Sequence, residues 1–210
     1  MRIQSFCFLT LLLALGAGGC SSGRGGEVRL EPSDGARAFS QVFNYAFFAV
    51  NEAGDFDIVM VDNASAWQFK KPPRKGAIKP QELTPVRQAF QIRSNWKQRI
   101  GTKRNPASTN ASITWYVLGE SGANDIIVYK GVANVMVYGD PTDDTCSVEI
   151  REGTLEPEVV SGDMRDPVGP ASIRGQCDAR RRDSQVHDIL SDMESRRRAL
   201  TSVPSPATAK

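Results

Sequence analysis

From residue 45 onward the chain keeps alternating between short runs of Val, Ile, Phe, Tyr and Trp and turn-forming clusters of Gly, Asp, Asn and Pro. Successive side chains of a strand point to opposite faces, so such runs must bury a sheet face, and their repetition at short spacing selects sandwiches and barrels. "SITWYVLG" and "DIIVYKGVANVMVY", joined through "ESGAN", are the clearest pair. "FNYAFFAV" and "FDIVMVD" flank the turn "NEAGD" and read as a hairpin, with Phe56, Ile58 and Met60 alternating against Asp57, Val59 and Val61. Residues 36–50 also fit a helical stripe through Phe39, Val42, Phe43, Ala46, Phe47 and Val50, so strand and helix both stay open there.

Further strands are expected around Val86–Trp96, through Cys146 to Ile150, at Thr154–Val160 and around Cys177. Long polar connections separate them, notably 63–85 with "KKPPRKGAIKP", and "RIGTKRNPASTN". One helix closes the pattern: Val186, Ile189, Leu190 and Met193 share a face, Asp183 or Ser184 caps the start, and Arg196, Arg197 and Arg198 suit the negative C-terminal end. The expected fold is therefore all-β, an antiparallel β-sandwich or open barrel over residues 27–182. One C-terminal amphipathic α-helix follows at 183–200, then a disordered tail at 201–210.

Composition narrows the function classes. A formal net charge of +2, with 40% hydrophobic and 24% charged residues, is ordinary for a globular chain. It lacks the concentrated positive charge that nucleic-acid binding needs, so nucleic acid is not an expected partner. A single histidine, His187, leaves little material for metal ligation or acid–base work, and no metal or other cofactor is expected.

The N-terminus carries an address. Arg2 precedes "FCFLTLLLALGA", an uncharged apolar run of signal-peptide length, shorter than the about 20 residues a membrane-spanning helix needs. Small residues then lead to Cys20. The stretch Ala17-Gly18-Gly19-Cys20 resembles the lipobox of bacterial lipoproteins, with Ala17 where leucine is commoner. The resemblance implies cleavage before Cys20, diacylglycerol on its thiol and acylation of the new amine, making residues 1–19 a signal peptide and 20–26 a tether. Ser21 in the second mature position resembles the signal for outer-membrane sorting, which implies an envelope location on the periplasmic side of that membrane. The competing reading is ordinary secretion with cleavage near Ala17. On the lipoprotein reading Cys7 leaves with the signal and Cys20 carries lipid, so Cys146 and Cys177 remain as the pair available for a disulfide in an oxidising compartment.

No stretch carries a full catalytic constellation. "GESGA" at 119–123 is similar to the nucleophile segment of trypsin-like proteases over five residues only, and the one histidine lies on the wrong side of it; a hairpin turn is the better reading. Asp140, Asp143 and Asp144 sit in one loop, but aspartate is also a natural turn residue. Two basic loops carry tryptophans: Trp67 with Lys70, Lys71, Arg74 and Lys75, and Trp96 with Lys97, Arg99, Lys103 and Arg104. These read either as solvated loops or as a face for anionic lipid or glycan, or for an envelope protein partner. The expected function is a lipid-anchored envelope protein acting as a non-enzymatic binding or assembly module. The alternatives are an envelope hydrolase or transferase acting on cell-wall or surface polysaccharide through acids such as Glu120, Asp140 or Asp143, and a periplasmic lipid carrier.

Overall fold

The computed structural model describes residues 25–62, 87–94, 109–119, 125–160 and 164–201. Nine strands and one helix follow in order: β1 (Gly26–Pro32), β2 (Phe39–Phe43), β3 (Tyr45–Val50), β4 (Phe56–Val61), β5 (Gln88–Ser94), β6 (Ala111–Leu118), β7 (Ile126–Tyr138), β8 (Thr145–Val160), β9 (Ala171–Arg181) and α1 (Asp183–Thr201). The all-β expectation with one C-terminal helix is what the chain does, and residues 36–50 hold the two strands β2 and β3 and no helix.

All nine strands belong to one sheet, ordered β2-β1-β9-β3-β4-β5-β6-β7-β8, and β8 returns to pair with β9. The ladders therefore run in a circuit of seven strands from β3 through to β9 and back. Every neighbour from β3 to β9 is antiparallel, and an odd number of strands cannot close that way throughout. The mismatch falls at β3–β9, which pair in parallel through Phe47↔Arg180 and Phe48↔Arg181. The sheet is thus mixed rather than wholly antiparallel. Above that short closure, the β1–β2 hairpin occupies the seam: β1 takes the same edge of β9 from Ala171 to Cys177.

Alternation divides the side chains into two apolar sets. Ile58, Met60, Phe90, Ile92, Ile113, Trp115 and Tyr129 point inward with Phe43 and Phe48 and fill the barrel. Trp115 stacks on Tyr129 with ring centroids 5.0 Å apart, and Phe43 meets Phe90 at 5.9 Å. The intervening residues Phe47, Val59, Val61, Ala89, Tyr116 and Val128 point outward, where α1 covers them with Val186, Ile189 and Met193. No helix among the described residues is long and apolar enough to cross a membrane.

Two boundaries differ from the sequence expectation. The segments through Ile150 and from Thr154 are one 16-residue strand, β8, whose ladder to β9 slips between Ile150 and Gly153. Arg151 and Glu152 form that irregularity, which interrupts the alternation that marks a strand in sequence. The supposed tether also ends sooner, because Gly26 already belongs to β1. A Cβ there would lie 2.5 Å from Cys177 Cβ, so this glycine serves close packing.

Candidate functional site

Half of the barrel wall lies under α1 and half is bare. The bare half is formed by β2, β1, β9 and β8, and in β1 and β9 the outward residues alternate with buried ones. Its register builds a row of direct neighbours: Glu149 opposite Gln176, Gln176 opposite Glu27, and Glu27 opposite Val42. Tyr138 lies opposite Ser147, and Ser147 opposite Asp178. Together these residues line a surface groove of ≈ 720 Å³ that includes Gly25, where the described chain begins. The Tyr138 hydroxyl donates to Glu149 Oε2 at 2.9 Å, and Ser147 Oγ donates to Asp178 Oδ1. The Tyr138 bond and a second from Arg151 hold the Glu149 carboxyl below its ordinary pKa, as an anion at neutral pH. Tyr138 and Val42 are 48% and 58% exposed, unusual for such side chains on an otherwise polar wall.

One step along the same wall, Arg29 of β1 stands directly opposite Arg174 of β9. Arg29 pairs with Glu31 at 3.1 Å, and Arg151 with Glu149 at 3.3 Å. Among the described residues no carboxylate pairs with Arg174, nor with the neighbouring Arg37, which shares a shallow pocket with Arg29 and Phe39. Sequence reading missed this arrangement, because residues 29, 37 and 174 meet only through the β1–β2 and β1–β9 ladders.

A polar seam follows α1 on the covered side. Tyr116 Oη donates to Glu194 at 2.8 Å, Arg197 bridges Glu194 and Glu158, and Lys130 meets Glu158 at 2.7 Å. Burial, reinforced by Glu194, pushes the Tyr116 phenol well above its ordinary value. These bonds fix the helix to β6 and β8, and Lys130 of β7 shares the Glu158 carboxylate. His187 is exposed on α1.

The loop before β9 closes one end of the barrel. Asp166 Oδ1 accepts from the buried Tyr129 hydroxyl and from the amides of Val168 and Gly169, both at 2.9 Å. Burial alone would raise the Asp166 carboxyl, yet these donors outweigh it and hold the group below its ordinary pKa.

The aspartates of "GDPTDDT" serve the turn they sit in. Asp140 Oδ1 accepts from Thr142 N at 2.9 Å and Thr142 Oγ1 at 2.6 Å, while Asp143 Oδ2 accepts from Asp140 N at 2.9 Å. Those bonds hold the Asp140 carboxyl below its ordinary value, the opposite of what a general acid needs. Among the described residues no group of three or more His, Cys, Asp or Glu side chains is placed to hold a metal ion.

The disulfide expectation is corrected. Cys146 and Cys177 are both buried free thiols. Both point into the barrel from adjacent strands, but Cys146 pairs with Ala179 and Cys177 with Val148. That diagonal offset separates Cα atoms by roughly 7–8 Å, beyond the reach of an unstrained bridge. Burial, assisted by Asp178, pushes the Cys146 thiol up to about 12.

Cys20, Glu120 and both tryptophan-bearing basic loops, with Trp67, Lys70, Lys71, Arg74, Lys75, Trp96, Lys97, Arg99, Lys103 and Arg104, lie outside the described residues. Their roots are described, however. The first loop joins β4 to β5 and the second joins β5 to β6, so they spring from opposite ends of β5. "GESGA" begins at Gly119, whose N–H donates to Asp125 O at 2.8 Å across the base of the β6–β7 turn. No protein-family model matches this chain, and no curated protein or solved structure is significantly similar to it.

Proposed function

We propose that this chain is a lipid-anchored envelope protein, held through Cys20, whose barrel is a non-enzymatic binding or assembly module. The observation that carries the binding role is the division of the wall. The interior is filled by side chains such as Phe48, Phe90, Trp115 and Tyr129, which leaves the outer surface as the place of recognition. On that surface, the bare half holds a groove of ≈ 720 Å³ and two exposed side chains with large apolar surface, Val42 and Tyr138. The same filled interior gives no support to a lipid held inside the barrel, and the turn bonds of Asp140 and Asp143 give none to acid catalysis. The anchoring role rests on the lipobox resemblance.

Placing a photo-crosslinking residue at Gln176 in the groove, and a control at Ser191 on the exposed face of α1, tests the binding role in the native envelope. A product specific to the Gln176 position and lost in Tyr138→Ala is the expected result. Purified full-length protein that turns over peptidoglycan or polysaccharide, with turnover abolished by Asp140→Asn or Asp143→Asn, would overturn it in favour of a hydrolase.

A further inference from the structure

We infer that the bare wall around Arg29 and Arg174 docks on the anionic phosphate surface of the very bilayer that holds the Cys20 lipid. This deepens the anchoring proposal and rests on it. Three observations converge. The first is reach. Five residue steps separate Cys20 from Gly25, and an extended chain spans at most about 18 Å over that distance. Gly25 is fixed on the wall itself, where its carbonyl accepts from Asp178 N at 3.0 Å. A barrel attached this way turns the β1–β9 wall toward the headgroups, with α1 on the other flank.

The second observation is charge. Arg29 and Arg174 are direct cross-strand neighbours, both exposed. Like charges in that position repel, and only Arg29 of the two has an ion pair, with Glu31, among the described residues. Arg174 and nearby Arg37 have no ion pair among the described residues. A phosphate bridging two guanidinium forks offsets the repulsion through charge-assisted, bidentate hydrogen bonds. The third is the apolar rim. Val42 on β2, an outermost strand of the sheet, is 58% exposed on the same face as Arg29, whereas Phe39, 38% exposed, pairs with the buried Leu30 on the other face. Arginine beside exposed apolar side chains is the composition of an interfacial surface. Glu27 and Glu31 of β1, Glu149 of β8 and Asp178 of β9 share the wall, so docking engages the arginine row and not the entire face.

The test uses the full-length lipoprotein reconstituted into phosphatidylcholine vesicles, with or without about 30% phosphatidylglycerol. A fluorophore at Ser40→Cys reports the wall and one at Ser191→Cys reports the helix flank. The buried thiols Cys146 and Cys177 stay unlabelled while the protein is folded. A lipid carrying a nitroxide at headgroup level quenches whichever label lies against the bilayer.

With phosphatidylglycerol present, the Ser40 label should be quenched about twofold or more relative to the Ser191 label. Arg29→Gln combined with Arg174→Gln should lower the docked-to-undocked ratio about 25-fold, at roughly fivefold per arginine. The melting temperature should be unchanged or higher, and salt at about 1 M should remove the preference in the unsubstituted protein. Equal quenching of the two labels, or quenching indifferent to phosphatidylglycerol or to the double substitution, overturns the inference. So does loss of the preference in millimolar inorganic phosphate at constant ionic strength, which would assign the arginines to a soluble anion. The mass of the mature N-terminus separates the two proposals. A lipidated Cys20 with symmetric quenching removes only the docking wall, whereas an unmodified Cys20 removes the anchor and the wall together.

Discussion

Cys146 and Cys177 face the same interior from neighbouring strands, yet a two-residue offset in register decides that they are thiols. Alkylation of the unreduced protein in denaturant should therefore modify both, and a mass lower by two hydrogens with no alkylation would contradict the structure. Burial also predicts an alkaline limit. Each thiol is held protonated in the folded state, since burial pushes Cys146 to about 12 and moves Cys177 upward as well. A raised folded pKa stabilises fully below the unfolded value of about 8.5 and is lost as pH climbs toward the folded one. Stability should fall from about pH 8.5 upward, and Cys146→Ala should make that fall shallower in urea titrations across the range. Gly26 is under a different constraint. A side chain there meets Cys177 Cβ and Met60 Sδ, each at 2.5 Å, so Gly26→Ala should cost about 1–3 kcal/mol by chemical denaturation. Conversely, Arg174→Thr relieves a like-charge pair and should add about 0.2–1 kcal/mol. Individual cysteines and arginines are plain in the sequence, but what they face is set by ladders between distant residues, Cys146 opposite Ala179 and Arg29 opposite Arg174, which composition does not encode.

At the scale of elements, legibility followed the density of apolar alternation. β4, β6 and β7 are rich in β-branched and aromatic residues and were readable with nearly correct bounds. β1, "GEVRLEP", has only Val28 and Leu30 to bury and follows a glycine-rich stretch, so it gave no strand signal, and the expected tether at 20–26 took in its first residue. The Arg151–Glu152 irregularity divided β8 in two for the same reason. The α1 helix was legible through its stripe, although its first bond, from Val186 N to Arg182 O, starts it before the expected caps Asp183 and Ser184, and its attachment is now specific. Ile189 and Met193 are completely buried against β3, β4 and β6, and the Tyr116–Glu194 bond adds a polar anchor. Ile189→Ala should cost about 2–5 kcal/mol in equilibrium unfolding. If that substitution left stability within a few tenths of a kcal/mol, the helix would not be part of the cooperative fold.

For the molecule as a whole, the closed circuit makes one wall of the barrel a helix-packed surface and leaves the other exposed. Neither the parallel β3–β9 seam nor this asymmetry can be read from local pattern, because both depend on which strand closes the ring. The sequence left the loops carrying Trp67 and Trp96 open between solvated connections and a cation–aromatic face. The fold roots those loops at opposite ends of β5, and it assembles a different cationic face from Arg29, Arg37 and Arg174 beside the short link to Cys20. That link makes the anchor the premise on which location, orientation and binding surface all depend. The decisive measurement is the mass of the N-terminal peptide of the mature protein isolated from its native envelope. The proposal predicts a peptide that begins at Cys20 and carries diacylglycerol on sulfur. A peptide that begins at Gly18 with a free Cys20 thiol would contradict it, and would make this an unanchored secreted barrel.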